Sequence, residues 1–357
     1  MRILLLAHGP SVHTRRWARA LRDRGHELRL LTAHASAAPE VPERVVGRAV
    51  PVRALHYLSA LPAVREEIRV FRPDVTVAHF LPNYGFLAAL SGARAWMVAC
   101  WGSDLLVNAR RSPLHRARAR WVLGRAPLVH VDARVLAEAA VDLGAPLGRV
   151  WTRAWGVDTA AFAPAAPAAG EGAGPTRILW TRQLETIYDP EPFLRALGAL
   201  KRRGLSFRAS MAGDGPMRER VRALIAEEDL AREVALEGFV GEERLRALYR
   251  DSDVYVSVSR SDSTSQSLLE AMAAGVLPIV TDIAGNREWV THRREGYLVP
   301  VGDQDAIACA IAEAAREPER RAMAARARAR VVAQGSFADT LDQLEERLRG
   351  LAAGGTR

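Results

Sequence analysis

Short apolar runs alternate with longer amphipathic runs along the chain, a pattern typical of a parallel sheet wrapped by helices. In the first half, the apolar runs predict strands at Arg2–Ala7, Glu27–Thr32, Val75–Ala78, Ala95–Ala99 and Leu128–Val131. Amphipathic runs between them predict helices such as His13–Arg24 and Val64–Phe71. The first half therefore reads as a doubly wound α/β unit, in which ligands gather at the carboxyl ends of the strands.

A second alternating unit follows a break in the pattern. Its predicted strands are Arg177–Thr181, Phe207–Ala212, Val234–Glu237, Val254–Val258 and Pro278–Thr281. The break is the Pro-, Ala- and Gly-rich segment at residues 163–175, which can hold neither a strand nor a helix pattern. From Arg316 to Leu351 the chain predicts Ala- and Arg-rich helix, interrupted near Gly335. We expect domains at 1–162 and 176–335, with a helical segment at 336–357.

Composition adds few constraints to this picture. The 357 residues are enough for two domains with full cores, and the chain has no run of about 20 apolar residues. Met1 leads directly into a strand without a signal-peptide pattern, so we expect a cytoplasmic protein. Cys100 and Cys309 lie far apart in apolar contexts, which suits a reducing compartment and offers no metal-ligand spacing.

The charge is distributed unevenly between the halves. Residues 1–160 carry 23 arginines against 12 acidic residues, whereas residues 161–357 carry 27 basic against 29 acidic residues. A basic first half is suited to an anionic membrane face or a phosphorylated acceptor, and a simple bias of composition is the alternative. No nucleic-acid module or aromatic-interleaved basic motif is present, so we expect no nucleic-acid partner. The basic segment Asn108–Arg125 predicts one helix with a solvated arginine face.

The stretch from Ser257 to Glu288 combines a strand end, a polar loop, a buried helix and a second strand. Asp262 opens the loop, and small hydroxyl residues lead from it into the apolar helical pattern of Leu268–Ala274, which Gly275 closes. The start of a helix offers unpaired N–H donors and a partial positive charge. We therefore expect this loop to hold a diphosphate.

Glu270 lies eight residues after Asp262, so the two acids can reach opposite ends of one bound ligand. This segment resembles the E-x7-E signature of the retaining glycosyltransferases of family 4, which have the GT-B fold and use nucleotide-activated sugars. The resemblance places Asp262, a shortened acid, on the donor sugar as a catalytic residue, and Glu270 on the ribose. The alternative is a capped helix after an exposed loop, with Asp262 as a solvated turn residue.

The resemblance covers nearly the whole chain and implies two doubly wound Rossmann-like domains with a cleft between them. Residues 1–162 would bind the acceptor, residues 176–335 the nucleotide sugar, and residues 336–357 would form a helix that crosses back to the first domain. It also implies a set of donor-binding residues in the second domain: Arg182, Tyr188, Gly213, Phe239, Val240, Thr264, Ser265, Gln266, Ser267 and Glu270. Relatives usually carry a lysine where Tyr188 stands, so Arg182 has no second cation to share the diphosphate.

In the first domain, the resemblance places an acceptor loop at Gly9, Ser11, His13, Trp101 and Ser103. Many relatives have two adjacent glycines where this chain has only Gly9, and a histidine where it has Trp101. A tryptophan cannot accept a proton, so a base would have to be another residue. We take His79 and Asp104 as further catalytic candidates, because both follow predicted strands.

The sequence thus predicts a retaining, metal-independent glycosyltransferase that moves a sugar from a nucleotide-diphosphate sugar to a glycan, a lipid-linked molecule or a small molecule. We expect no cofactor and no metal ligands, and a UDP-sugar in preference to a GDP-sugar. Peripheral contact with the inner face of the membrane is a further expectation. Two alternatives stay open: a GT-B sugar-nucleotide epimerase, and a degenerate protein that binds a nucleotide sugar or a partner without turnover.

Overall fold

A computed structural model describes residues 1–47, 57–164 and 174–354. By their internal contacts the residues group into two units, Met1–Ala154 with Asp339–Arg357, and Trp155–Ala338. Residues 155–162, expected at the end of the first domain, group with the second unit. Most of the expected linker at residues 163–175 lies outside the described residues.

The first unit contains a parallel sheet of seven strands, in the order β3-β2-β1-β4-β5-β6-β7. The strands are β1 Arg2–Leu6, β2 Glu27–Thr32, β3 Glu43–Val45, β4 Val75–His79, β5 Trp96–Ala99, β6 Leu128–Val131 and β7 Val150–Thr152. The helices are α1 Val12–Asp23, α2 Leu61–Phe71, α3 Phe86–Ser91, α4 Ser103–Leu106, α5 Pro113–Arg125 and α6 Arg134–Asp142. The apolar run of β1 is fully buried, as expected for a central strand covered on both faces.

The second unit contains a parallel sheet of six strands, in the order β10-β9-β8-β11-β12-β13. The strands are β8 Thr176–Trp180, β9 Phe207–Ala212, β10 Val234–Gly238, β11 Val254–Ser257, β12 Leu277–Thr281 and β13 Tyr297–Val299. The helices are α7 Pro190–Arg202, α8 Arg218–Glu227, α9 Glu242–Arg250, α10 Gln266–Ala273, α11 Ala284–Arg287, α12 Gln304–Arg316 and α13 Arg320–Gln334. A last helix, α14 Phe337–Gly354, begins in this unit and groups with the first unit from Asp339 onward.

Each sheet reverses its strand order once, between β1 and β4 in the first unit and between β8 and β11 in the second. A crevice forms at such a switch point because the connections on either side of it leave in opposite directions. The two parallel-sheet α/β units confirm the fold class expected from the alternating pattern. The strand order also shows which loops lie at the two switch points, where a ligand can bind.

Some local expectations were wrong. The segment Asn108–Arg125 is not one helix: a short 3₁₀ turn covers Asn108–Arg110, and the α-helix begins at Pro113 with Ser112 as its cap. Proline at the first helical position cannot continue a preceding helix, which explains the break. The apolar pattern also missed β3, β7 and β13, because each has only three residues. Of the two cysteines in apolar sequence contexts, Cys100 is buried and Cys309 is exposed.

Candidate functional site

The switch point of the second unit brings together Arg182 and Asp262, which the sequence placed on the diphosphate and on the sugar of a donor. Arg182 follows β8 and Asp262 follows β11, and these strands are neighbours. The Arg182 guanidinium donates from Nη2 to Oδ2 of Asp262 at 2.6 Å. The two side chains are 9% and 19% exposed, so the ion pair is largely shielded from water.

Hydroxyl groups complete the surroundings of Arg182. Its Nη1 donates to the Oγ atoms of Ser265 and Ser267 at 2.6 and 3.0 Å, and its guanidinium lies 4.0 Å above the ring of Tyr188. Burial by itself lowers the pKa of Arg182, but the carboxylate of Asp262 and the nearby tyrosines together outweigh burial, so the pKa is raised. Arg182 is therefore a fixed positive charge at the carboxyl end of β8.

The loop after Asp262 leads directly into a helix start. The Oγ of Ser265 accepts a hydrogen bond from the backbone N–H of Leu268, which makes Ser265 the N-cap of α10. The first N–H groups of a helix have no partner within the helix and carry a partial positive charge. Trp289 Nε1 donates to the Oγ1 of buried Thr264 at 3.5 Å, so that the loop is held from its other side.

Glu270 lies one turn into α10 and is only partly buried. Its Oε2 accepts a hydrogen bond from the hydroxyl of Tyr249 at 3.2 Å, and its Oε1 accepts one from Gln266 at 3.5 Å. Sequence reasoning missed Tyr249, because it lies in an ordinary amphipathic helix whose pattern gives no sign of a polar contact. Tyr255, whose hydroxyl is 2.7 Å from the Oγ of Ser267, was missed because it lies within the buried strand β11, where an aromatic residue is typical of the core.

Glycines allow three loops of the second unit to approach one another. A Cβ on Gly213 would lie 2.2 Å from the carbonyl oxygen of Arg182, and the N–H of Gly213 donates to the carbonyl of Gly238. Gly213, with φ of +156°, therefore lets the loops after β8, β9 and β10 meet. Just beyond them, Phe239 is 82% exposed and Val240 is partly buried, so Phe239 offers an open aromatic surface.

In the first unit, the loop after β1 is packed against its own neighbours. The N–H of Gly9 donates to Thr32 Oγ1, and a Cβ on Gly9 would lie 2.5 Å from the Oγ of Ser36. The need for glycine at this position thus comes from packing within the unit. Ser11 occupies the N-cap position of α1, but its side chain makes no capping hydrogen bond.

His13, Trp101 and His79 form part of a connected series of rings in the first unit. The Trp101 ring lies 5.0 Å from His13 and 5.6 Å from His79, and Trp17 packs on the far side of His79 at 5.4 Å. Burial lowers the pKa of His79 to about 3 and that of His13 to about 4, so both imidazoles are neutral at pH 7. Such a low pKa makes His79 a poor general base, and its position supports the Trp101 ring instead.

Asp104 organises the loops around this series of rings. Its side chain is fully buried, and its carboxylate accepts hydrogen bonds from the backbone N–H groups of Leu81, Trp101 and Leu105. Burial raises the pKa of Asp104 to about 6, although these hydrogen bonds oppose the increase. Asp104 therefore positions the loops after β4 and β5. The side chain of Ser103, the acceptor-loop candidate next to it, is exposed.

Two further charged residues of the second unit have structural partners. Asp253 contacts Arg177 and Arg320, and Lys201 contacts Asp229 and Glu233. Among the described residues, no group of three or more histidine, cysteine or acidic side chains could hold a metal ion. No helix in the described part of the chain is long and apolar enough to cross a membrane.

Two family models match this chain. Residues 2–133 match the model described as "Glycosyl transferase 4-like", and residues 167–330 match "Glycosyl transferases group 1". The chain is 28% identical over 247 residues to the putative colanic acid biosynthesis glycosyltransferase WcaL of Escherichia coli, a match that covers 67% of the chain and 60% of the relative. It is also 28% identical to a GDP-mannose-dependent alpha-mannosyltransferase of Mycobacterium tuberculosis, over 86% of the chain and 84% of the relative.

The chain spans about 60% of the length of the first curated relatives it matches. Solved structures resemble its fold over almost the whole length. Anabaena HepE in complex with UDP has a TM-score of 0.81 at 17% identity, covering 98% of this chain and all of HepE. Sucrose-phosphate synthase from Thermosynechococcus elongatus has a TM-score of 0.80 at 19% identity, covering 99% and 100%. These likenesses confirm the GT-B fold that the sequence implied.

Proposed function

We propose that the chain is a GT4-like glycosyltransferase of the GT-B fold that transfers a sugar from a nucleotide-diphosphate sugar to an acceptor, because its two halves match family models of glycosyltransferases. The observation that carries the proposal is the ion pair of Arg182 and Asp262 at the switch point of the second sheet. It sets a fixed cation and a carboxylate side by side, next to the start of α10. A donor needs both groups, one for its diphosphate and one for its sugar.

The chemistry proposed for the site uses only groups of this chain. When the bond between the sugar and the diphosphate breaks, negative charge grows on the leaving phosphate and positive charge on the sugar ring. Arg182 and the first N–H groups of α10 are preorganised to stabilise the first charge, and the carboxylate of Asp262 orients the sugar hydroxyls. Since these positive groups can offset the phosphate charge, we propose transfer without a metal ion. We propose retention because the spacing of Asp262 and Glu270 resembles the signature of the retaining family.

The proposed donor is a UDP-sugar. HepE was solved with UDP and with UDP-glucose, whereas the mycobacterial relative is named for GDP-mannose. The base would meet the backbone near Phe239 and Val240, and the exposed Phe239 ring offers a surface for it to stack on. Thermal shift measurements with a panel of UDP- and GDP-sugars test this choice, and stronger stabilisation by a GDP-sugar would contradict it.

Incubation with radiolabelled nucleotide sugars distinguishes transfer from the alternatives. Slow hydrolysis of the donor, or transfer to an added acceptor, is expected of the proposed enzyme. Epimerised donor would instead identify an epimerase, and binding without any turnover would identify a nucleotide-sugar-binding protein. The relatives named above are transferases, which favours the first outcome.

For the acceptor, we propose a glycan, a lipid-linked molecule or a small molecule that meets the rings of Trp101 and His13.

The arginine excess of residues 1–160 also supports peripheral contact with an anionic membrane. We expect binding to vesicles of phosphatidylglycerol to weaken between roughly 50 and 200 mM salt, because salt screens exposed charges. Vesicle sedimentation measures this effect. Binding that did not respond to salt would leave the arginines as a bias of composition.

Glu270→Gln is expected to weaken donor binding by about 1–3 kcal/mol, because a neutral amide is a weaker acceptor for ribose hydroxyls than a carboxylate. Titration calorimetry with UDP measures the change. Glu313→Gln serves as the matched control. It removes a carboxylate of α12 that pairs with Arg293, and it should leave donor affinity unchanged. Equal affinities for Glu270→Gln and the parent protein would remove Glu270 from the site.

A further inference from the structure

We propose that a cavity in the first unit binds a phosphate monoester, at the edge of the sheet opposite to the acceptor loops. The cavity has a volume of about 640 Å³. Its charged lining consists of Arg94, Arg149, Arg347 and Glu346, and its apolar lining includes Leu128 and Leu351. The site lies wholly within one unit and is independent of the function proposed above.

The position of the cavity separates it from the loops assigned to the acceptor. Ala95 and Leu128 lie at the amino ends of β5 and β6, and Arg149 comes directly before β7. Trp101 follows the carboxyl end of β5. A strand of four residues spans about 13 Å, so a ligand in this cavity does not touch the Trp101 ring.

The charges that line the cavity are not balanced. Within residues 1–47, 57–164 and 174–354, the side chains of Arg94, Arg149 and Arg347 make no ion pair and no hydrogen bond. Glu346 is the one carboxylate of the lining among these residues, which leaves a formal charge of +2. Three guanidinium groups around one cavity repel one another, and the attraction of each group to a bound anion would offset that repulsion.

One feature of the fold opposes anion binding. Helix α14 ends at Gly354 on the wall of the cavity, and the last carbonyl groups of a helix carry a partial negative charge of roughly half an electron. The three positive charges of the guanidinium groups exceed the negative charge of Glu346 and of the helix end combined. Arginine also suits phosphate better than lysine, because its planar fork donates two parallel hydrogen bonds to phosphate oxygens.

In a second arginine-rich cavity, in the other unit, most of the lining arginines have partners, although Arg250 makes no ion pair or side-chain hydrogen bond among the described residues. The volume of this cavity is about 250 Å³, and its lining includes Arg177, Arg320, Arg328 and Asp253. There Arg177 and Arg320 both contact Asp253, and Arg328 donates to backbone carbonyl groups. The exposed arginines of the larger cavity lack such partners among the described residues, so their guanidinium groups are available to an external anion.

The size and lining restrict the ligand. A cavity of several hundred Å³ is in the range of small-molecule sites, and Leu128 and Leu351 offer apolar surface beside the arginines. A phosphate monoester on a small organic group matches both features. It can come from a soluble metabolite or from the headgroup of a lipid, and these two sources can be told apart by experiment.

The test uses the full chain and compares Arg149→Gln and Arg347→Gln with Arg69→Gln, which removes an exposed arginine of α2 outside the cavity. All three side chains are exposed, so the variants should keep the melting temperature of the parent. Glycerol 3-phosphate is titrated by calorimetry, and vesicles of phosphatidic acid or of phosphatidylcholine are sedimented with each protein. We expect each cavity variant to weaken the binding of a phosphate monoester by roughly tenfold.

Each outcome decides the proposal. Weaker binding of glycerol 3-phosphate by the cavity variants, with Arg69→Gln unchanged, supports a soluble ligand. Loss of binding to phosphatidic acid vesicles alone, in the same variants, supports a lipid headgroup. If neither probe binds, or if Arg69→Gln has the same effect as the cavity variants, the site is refuted and these arginines only balance the end of α14.

Discussion

Asp262→Asn is expected to lower turnover at saturating donor by a factor on the order of 10²–10³, the scale of losing one preorganised electrostatic contact in an active site. The neutral amide no longer offsets positive charge on the sugar ring. Donor affinity should be retained or increase, because the phosphates no longer compete with the Asp262 carboxylate for Arg182. Steady-state kinetics, with kcat and KM measured separately, reveal this split.

The matched control for this prediction is Asp253→Asn. Asp253 also pairs with an arginine, Arg177, but at the amino ends of the same two strands, away from the loops of the site. Asp253→Asn should therefore leave kcat unchanged, and Asp262→Glu should retain activity or change the donor preference. If Asp262→Asn turned over donor as fast as the parent, Asp262 would be only a loop residue and its catalytic role would have to be withdrawn.

Arg182→Ala is expected to weaken donor binding by about 2–5 kcal/mol, the range for removing one partner of a buried, hydrogen-bonded charge pair. Tyr188 stands where relatives carry a lysine, and the only lysine of the chain, Lys201, pairs with Asp229 and Glu233. Arg260, on the loop that leads to Asp262, pairs with Asp189, so we expect no other cation to replace the guanidinium. Calorimetric titration with UDP measures the loss.

The same substitution should also destabilise the fold, because it leaves the shielded carboxylate of Asp262 without its partner. We expect a decrease of roughly 3 kcal/mol in the free energy of unfolding, at the low end for a buried pair since Asp262 keeps some contact with water. Urea unfolding measures it. Arg177→Ala removes a half-exposed arginine of the same strand, and its partner Asp253 keeps an ion pair with Arg320, so we expect a cost under about 1 kcal/mol and unchanged donor affinity. Wild-type UDP affinity in a folded Arg182→Ala protein would show that another group holds the diphosphate.

The sequence by itself determined the layered architecture. Buried parallel strands read as continuous apolar runs, so Glu27–Thr32, Leu128–Val131 and Phe207–Ala212 were predicted with the bounds that the structure has. Three of the four edge strands were missed, because three residues are too few to show a period, whereas the longer edge strand β10 was predicted. The helix after Asp262 was also predictable, since its start and end both carry local signals, namely the serine cap and Gly275.

What only the tertiary structure decided is which polar groups meet. The sequence placed Arg182 on phosphate and Asp262 on sugar, but their ion pair depends on β8 and β11 being neighbours, although 80 residues separate the two side chains in the chain. It likewise offered Asp104 and His79 as catalytic groups, whereas burial gives both a structural setting. Local patterns record whether a residue faces the core. They hold no information on which distant loop shares its end of the sheet, because strand order is set by the packing of the whole unit.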